Sequence, residues 1–140
     1  MTTFIVHSLS QAILALTAAR DAGVPVTLRS PSEGAQSMGP LFFRALTEAA
    51  LDRVPGAQAT AMLDCGDAPG LALAALRSGI KAVRVDVLDS TLAKLRDIAA
   101  QMNAKIYAPG EDGAILDLAT CPDMKASAAR FLERNDRCSA

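Results

Sequence analysis

Residues 54–87, VPGAQATAMLDCGDAPGLALAALRSGIKAVRVDV, decide the fold. An apolar, strand-like run over 59–63 ends in Leu63-Asp64-Cys65-Gly66-Asp67, an Ala/Leu helix over 70–77 closes at Gly79, and a second buried strand follows over 82–85. Strand, helix and strand in so short a span make a βαβ unit, and such units build parallel sheets. Ligand sites in these folds gather at the carboxyl ends of the strands, so Asp64 and Cys65 are the first residues to consider for chemistry.

The same alternation extends in both directions. Residues 4–7 (FIVH) read as a first strand, and Ser10 is a suitable cap for a helix carrying Ile13, Leu14, Leu16 and Ala19 at helical spacing up to Gly23. A second strand is expected over 25–28. After the polar loop RSPSEGAQSMGP, a helix is expected over 41–54 with Leu41, Phe42, Ala45, Leu46, Ala49 and Ala50 on its apolar face. Downstream, a helix opened by Ser90 spans 90–102, a fifth strand 105–108, and a sixth 114–118 after the turn signal Gly110-Glu111-Asp112-Gly113. A last helix over 124–133 precedes a polar tail.

Composition narrows the function classes. The 140 residues are 51% hydrophobic, enough for one buried core, and fit a single domain. Fourteen basic against fifteen acidic residues leave a net charge of -1 with no basic patch, which argues against a nucleic-acid partner. The first residues, MTTFIVHSLS, lack the pattern of a secretory signal, and no apolar run reaches the roughly 18 residues a membrane helix needs, so no membrane partner and a cytoplasmic location are expected. Cys65, Cys121 and Cys138 form no CxxC pair and read as reduced thiols. The strands are too few for a closed (β/α)8 barrel, which takes about 250 residues.

Three stretches carry a family resemblance. Pro25-Val26-Thr27-Leu28 followed by Ser32-Glu33-Gly34-Ala35 and Met38-Gly39, then Leu63-Asp64-Cys65-Gly66, then residues 74–86 (AALRSGIKAVRVD) agree in order and spacing with motifs of one barrel family. Residues 4–108 thus resemble the N-terminal half of class II fructose-bisphosphate aldolases and related metal-dependent ketose aldolases. The resemblance implies that Asp64 stands where the family has its proton-transferring aspartate, and that Asp86 matches an acidic residue ending the fourth strand. Cys65 stands in place of a zinc-binding histidine, Arg29 in place of a glutamine, and Ile5 and His7 in place of an asparagine pair. A catalytic zinc needs about three protein ligands and an open position. The family's other ligands lie in the half of the barrel that has no counterpart here, so no cofactor is expected unless a partner chain completes a zinc site at Cys65.

Each candidate has a structural reading beside the functional one. Asp64 can move a proton if burial raises its proton affinity, or it can close a turn with Gly66, and Asp64 or Asp67 can cap the next helix. Cys65 can ligate metal or act as nucleophile, yet a free cysteine is usually buried filler. His7, the sole histidine, pairs with Cys65 only if the fold brings them together, and otherwise serves a structural hydrogen bond. Arg29, Ser30, Ser32 and Gly34 form the best anion-binding group, although SPSEG is also an ordinary surface turn.

The expected fold is therefore α/β: a partial TIM-barrel-like half-barrel of five or six mainly parallel strands with flanking helices. It forms a single domain over 1–140, whose 119–140 segment is a C-terminal helix and tail. The expected function is binding of a small anionic or phosphorylated metabolite, without aldolase activity, by His7, Arg29, Ser32, Gly34, Asp64 and Asp86. Two alternatives stand beside it: a metal-assisted aldolase or lyase completed by another chain, and a structural assembly subunit. A half-barrel exposes sheet edges, so a homo-oligomer, most simply a dimer, is expected.

Overall fold

Successive side chains of a strand alternate between the two faces of a sheet. In β2 (Val26–Arg29) that sends Val26 and Leu28 one way and Thr27 and Arg29 the other. The registers carry this division across β1 (Thr2–Ile5), β3 (Ala59–Asp64), β4 (Ala82–Arg84), β5 (Lys105–Tyr107) and β6 (Ala114–Asp117). Phe4, Leu28, Leu63, Val83 and Ile106 share the outer face and join the helices in the main apolar core. Thr3, Thr27, Arg29, Met62, Asp64, Ala82 and Arg84 share the inner face, which is largely polar.

The computed structural model describes the backbone of residues 1–139 and the side chains of residues 1–135. Its six strands are all parallel, in the order β5-β4-β3-β2-β1-β6. The helices are α1 (Leu9–Ala22), the short α2 (Gly34–Ser37), α3 (Pro40–Arg53), α4 (Pro69–Arg77), α5 (Asp89–Gln101) and α6 (Met124–Ser139). They pack in the order α6, α1, α3, α4, α5, which follows the order of the strands they succeed. That is the winding of a barrel segment, with helices on the outer face and β5 and β6 left as unpaired edges. The half-barrel-like α/β fold expected from the sequence is thus the observed one, open rather than closed.

Local chemistry explains the element ends. Ser8, not Ser10, caps α1, its side chain accepting from the Gln11 N–H at 3.2 Å, and Gly23 ends the helix at φ 71°. Pro40 opens α3 at its first turn, where its missing N–H costs nothing. Ser90 does not cap α5, which begins one residue earlier behind Leu88. The last helix continues past Glu133 to Ser139, since no Gly or Pro interrupts 124–139. The apolar face of α3 also differs from expectation. Phe43, Thr47 and Ala50 are buried, whereas Leu41 and Phe42 stand 69% and 59% exposed.

The inner face is covered by the chain itself. Residues 108–113 carry the chain from the carboxyl end of β5 to the start of β6, the opposite edge. A flat six-stranded sheet would set its edges about 24 Å apart. That is near the limit of so short a segment at about 3.5 Å per residue, so the sheet curls. The segment crosses the sheet as a strap, with Thr3 Oγ1 donating to the Asp112 carbonyl at 2.8 Å. Among the described residues, no helix is long and apolar enough to cross a membrane.

Candidate functional site

Two arginines and two aspartates meet between the inner face and the strap. Arg29 ends β2, Asp64 ends β3 and Arg84 ends β4, and alternation points all three inward. Asp64 Oδ2 accepts from Arg29 Nη2 at 3.3 Å and from Arg84 Nη1 at 2.9 Å. Asp112 Oδ2 accepts from Arg29 Nη1 at 2.9 Å and lies 3.2 Å from Arg84 Nε, at ion-pair distance though not aligned as a hydrogen bond. The four groups close a ring of alternating charge. The Arg29, Asp64 and Asp112 side chains are almost wholly buried, and Arg84, 21% exposed, is the side of the ring that meets solvent. Burying charges is tolerable only when each is paired and hydrogen-bonded, a condition this ring nearly meets. The Nε groups of both arginines remain buried without a hydrogen-bond partner.

Asp64 is the fixed point of the ring. Its other oxygen, Oδ1, accepts from the Gly66 N–H at 2.8 Å and the Glu33 N–H at 3.2 Å, so four donors occupy the carboxylate. The Gly66 contact is the turn anticipated from Asp64-Cys65-Gly66, with Gly66 at φ 58°. Neither Asp64 nor Asp67 caps α4, which begins behind Ala68 without a side-chain cap. The Asp64 N–H donates to Ser30 Oγ at 2.9 Å, and Ser30 Oγ donates to the Pro31 carbonyl at 3.1 Å. Gly34 explains itself here: a Cβ at that position would strike the Ser30 side chain, 2.6 Å from its Cβ. The glycine of the Ser-Glu-Gly-Ala stretch therefore lets the start of α2 close against Ser30, the acceptor of the Asp64 N–H.

The remaining sequence candidates separate. Cys65 points outward into the apolar core and is fully buried, its Sγ 3.9 Å from the Leu63 carbonyl. Burial, and secondarily the neighbouring Asp64 charge, pushes its thiol up to about 12. A zinc site does not fit these residues. The thiol is fully buried on the opposite face from Asp64, and no group of three or more His, Cys, Asp or Glu among the described residues could hold a metal ion. His7 pairs with Asp117, Nε2 to Oδ1 at 2.9 Å, on the half-exposed rim where β1 and β6 end, and does not meet Cys65. Ser32 and Asp86 are exposed on the loops after β2 and β4, with the Asp86 N–H donating to the Gly66 carbonyl at 2.7 Å. Cys121 is half-buried, its Sγ 3.4 Å from the Asp117 carbonyl, and the Cys138 side chain lies outside the described residues.

No family model and no curated protein matches the chain. The site must be understood from its own residues.

Two of the four ring members, Arg84 and Asp112, are not among the sequence candidates. Arg84 carried a usable signal, because Val83-Arg84-Val85 places one charge between two residues bound for the core. Asp112 was legible only as part of a turn. The gap between the fifth and sixth strands is shorter than a helical crossover takes, and only the position of β6, parallel at the edge opposite β5, shows that it crosses the sheet.

Proposed function

We propose that this protein binds a small anionic metabolite at the arginine pair Arg29 and Arg84 on the inner face of a class II aldolase-like half-barrel, without aldolase turnover. The observation that carries the reading is the convergence of two guanidiniums on one carboxylate oxygen, Asp112 Oδ2, at 2.9 and 3.2 Å. Arginine presents a planar fork of donors suited to carboxylates and phosphates, and a low-dielectric setting strengthens such contacts. Asp64 serves as the anchor that orients both forks, since its lone pairs already receive four donors. Ser32, Asp86 and His7, on the rim, act as outer contacts to the bound molecule. The single-sided winding of helices supports descent from a barrel segment. The lyase alternative gains no support, because Cys65 is buried away from the anchor.

A cytoplasmic location belongs to this reading, as does self-association. Unpaired edges at β5 and β6 and the exposed Leu41, Phe42 and Leu88 favour a second copy as partner. Binding is tested by thermal unfolding in rising phosphate or malonate. Preferential binding to the folded chain raises the melting temperature, and Arg84→Met removes the rise. An unchanged rise in Arg84→Met rejects the arginine pair as the site.

A further inference from the structure

The strap lies against the arginine pair through Asp112. Asp112 presents a single oxygen to both arginines, while Arg29 Nε stays buried without a hydrogen-bond partner and Arg84 Nε, 3.2 Å from that oxygen, is not aligned with it as a hydrogen bond. A buried donor without a well-aligned acceptor is costly, and an anion with more oxygens would satisfy both. Asp112 sits between Gly110 at φ 88° and Gly113 at φ 71°, conformations in which the chain can reverse direction on either side of it. The other side-chain ties of the strap are the buried Thr3 hydroxyl to the Asp112 carbonyl and an exposed Arg96–Glu111 pair at 2.7 and 2.9 Å, of a kind that contributes little in water, while its end is held at Met1 by the Ala114 N–H to the Met1 carbonyl. The partly exposed Arg84 gives solvent access to the ring.

We propose that Asp112 is a built-in competitor, occupying the Arg29–Arg84 subsite in place of a phosphate group, and that a phosphate or phosphate monoester binds by displacing the strap. This rests on the anion-binding reading above and adds the class of ligand and the gate. A tetrahedral phosphate offers separate oxygens to Arg29 Nη1 and Arg84 Nε, which now share one oxygen of Asp112, and a further oxygen to Arg29 Nε. No net charge need be left buried, because the incoming anion replaces the departing carboxylate. Release of the strap also uncovers Thr3 and the inner ends of β1 and β2, giving the rest of the ligand a polar floor.

The test is calorimetric titration of the wild-type chain and Asp112→Asn with inorganic phosphate and with methyl phosphate. The amide keeps the size of the carboxylate but loses its charge, so phosphate affinity should rise at least about tenfold in Asp112→Asn. Comparable gains for both probes assign recognition to the phosphate group, and a gain confined to methyl phosphate assigns the site to esters. Equal affinity in the wild-type chain and the variant overturns the gate while leaving anion binding intact. Absence of binding to either protein overturns both. Should Asp112→Asn fail to fold, amide hydrogen exchange of the wild-type chain decides: saturating phosphate should speed exchange at Glu111, Asp112 and Gly113 and leave β3 protected. Unchanged exchange in the strap rejects displacement.

Discussion

Arg29 and Asp112 stand 83 positions apart in the chain and 2.9 Å apart in space, Nη1 against Oδ2. That contact ties the last crossing of the chain to the second strand, and through Asp64 to the third and fourth. The polar inner face is thereby organised around one closed network rather than around separate side chains. In a half-barrel, this network and the strap occupy the interior that packed side-chain layers fill in a complete barrel.

Removing one member should therefore be costly. Arg29→Met leaves two buried carboxylates with a single arginine, and breaking a buried pair in this way costs about 3–5 kcal/mol. Urea unfolding measures the loss. Coupling between sites in contact predicts that Arg29→Met combined with Asp112→Leu loses less than the sum of the two single changes. Strict additivity would mean that the two groups do not interact.

Strap geometry gives a second expectation. Gly113 lies at φ 71°, and a Cβ there would strike the Met1 carbonyl, whereas Gly110, at φ 88°, has open space around it. Gly110→Ala incurs only the left-handed backbone penalty of about 1–2 kcal/mol, and Gly113→Ala incurs that and the collision. Gly113→Ala should accordingly lower the unfolding free energy more. Equal losses would show that the start of β6 shifts freely away from Met1.

The Cys65 thiol should be inert in the folded chain. Its buried position keeps the thiol protonated, so labelling by a maleimide at neutral pH should require unfolding, while a half-buried Cys121 reacts sooner. The pH dependence has a definite sign. Because the folded value is raised from 9.0 to about 12, the unfolded chain releases this proton first, and stability falls as pH rises from 9.0 toward 12. Well below 9.0 this group contributes no slope. Cys65→Ala should flatten that alkaline decline when compared with the wild-type chain by urea unfolding at several pH values, and an identical slope would remove Cys65 as its cause.

The exposed Phe42, beside Leu41 at the start of α3, leads to a further expectation. A two-fold dimer that covers apolar surface should appear in sedimentation equilibrium at micromolar concentration, with Phe42→Asp shifting it toward monomer. A wild-type chain that stays monomeric at 14.5 kDa would rule out this association.

The order of elements was legible because β-branched strands and Ala/Leu helices differ in period, and because Gly23, Pro40 and Gly79 punctuate them. The burial of α3 was less legible. Leu41 and Phe42 satisfy the helical spacing of an apolar face, yet the helix turns Phe43, Thr47 and Ala50 inward, and a threonine at the centre of that face obscures it in the sequence. For the site, Asp64 and Arg29 could be found from strand ends alone. Their partnership could not, since position at a strand end says nothing of which face a residue shares with its neighbours until register is known. Cys65 shows the converse: one residue beyond Asp64, it necessarily faces the other way.

The proposed anion site is formed by Arg29 and Arg84 and occupied by Asp112 in the free chain. Calorimetric titration of phosphate into the wild-type chain and into Arg84→Met, at matched ionic strength, tests it most directly. The expected result is one saturable site per wild-type chain and at least about a tenfold weaker one in Arg84→Met, in line with the roughly 1.5–3 kcal/mol typical of hydrogen bonds to charged groups. Equal phosphate affinity in the two proteins, or no saturable binding to the wild-type chain, would contradict it.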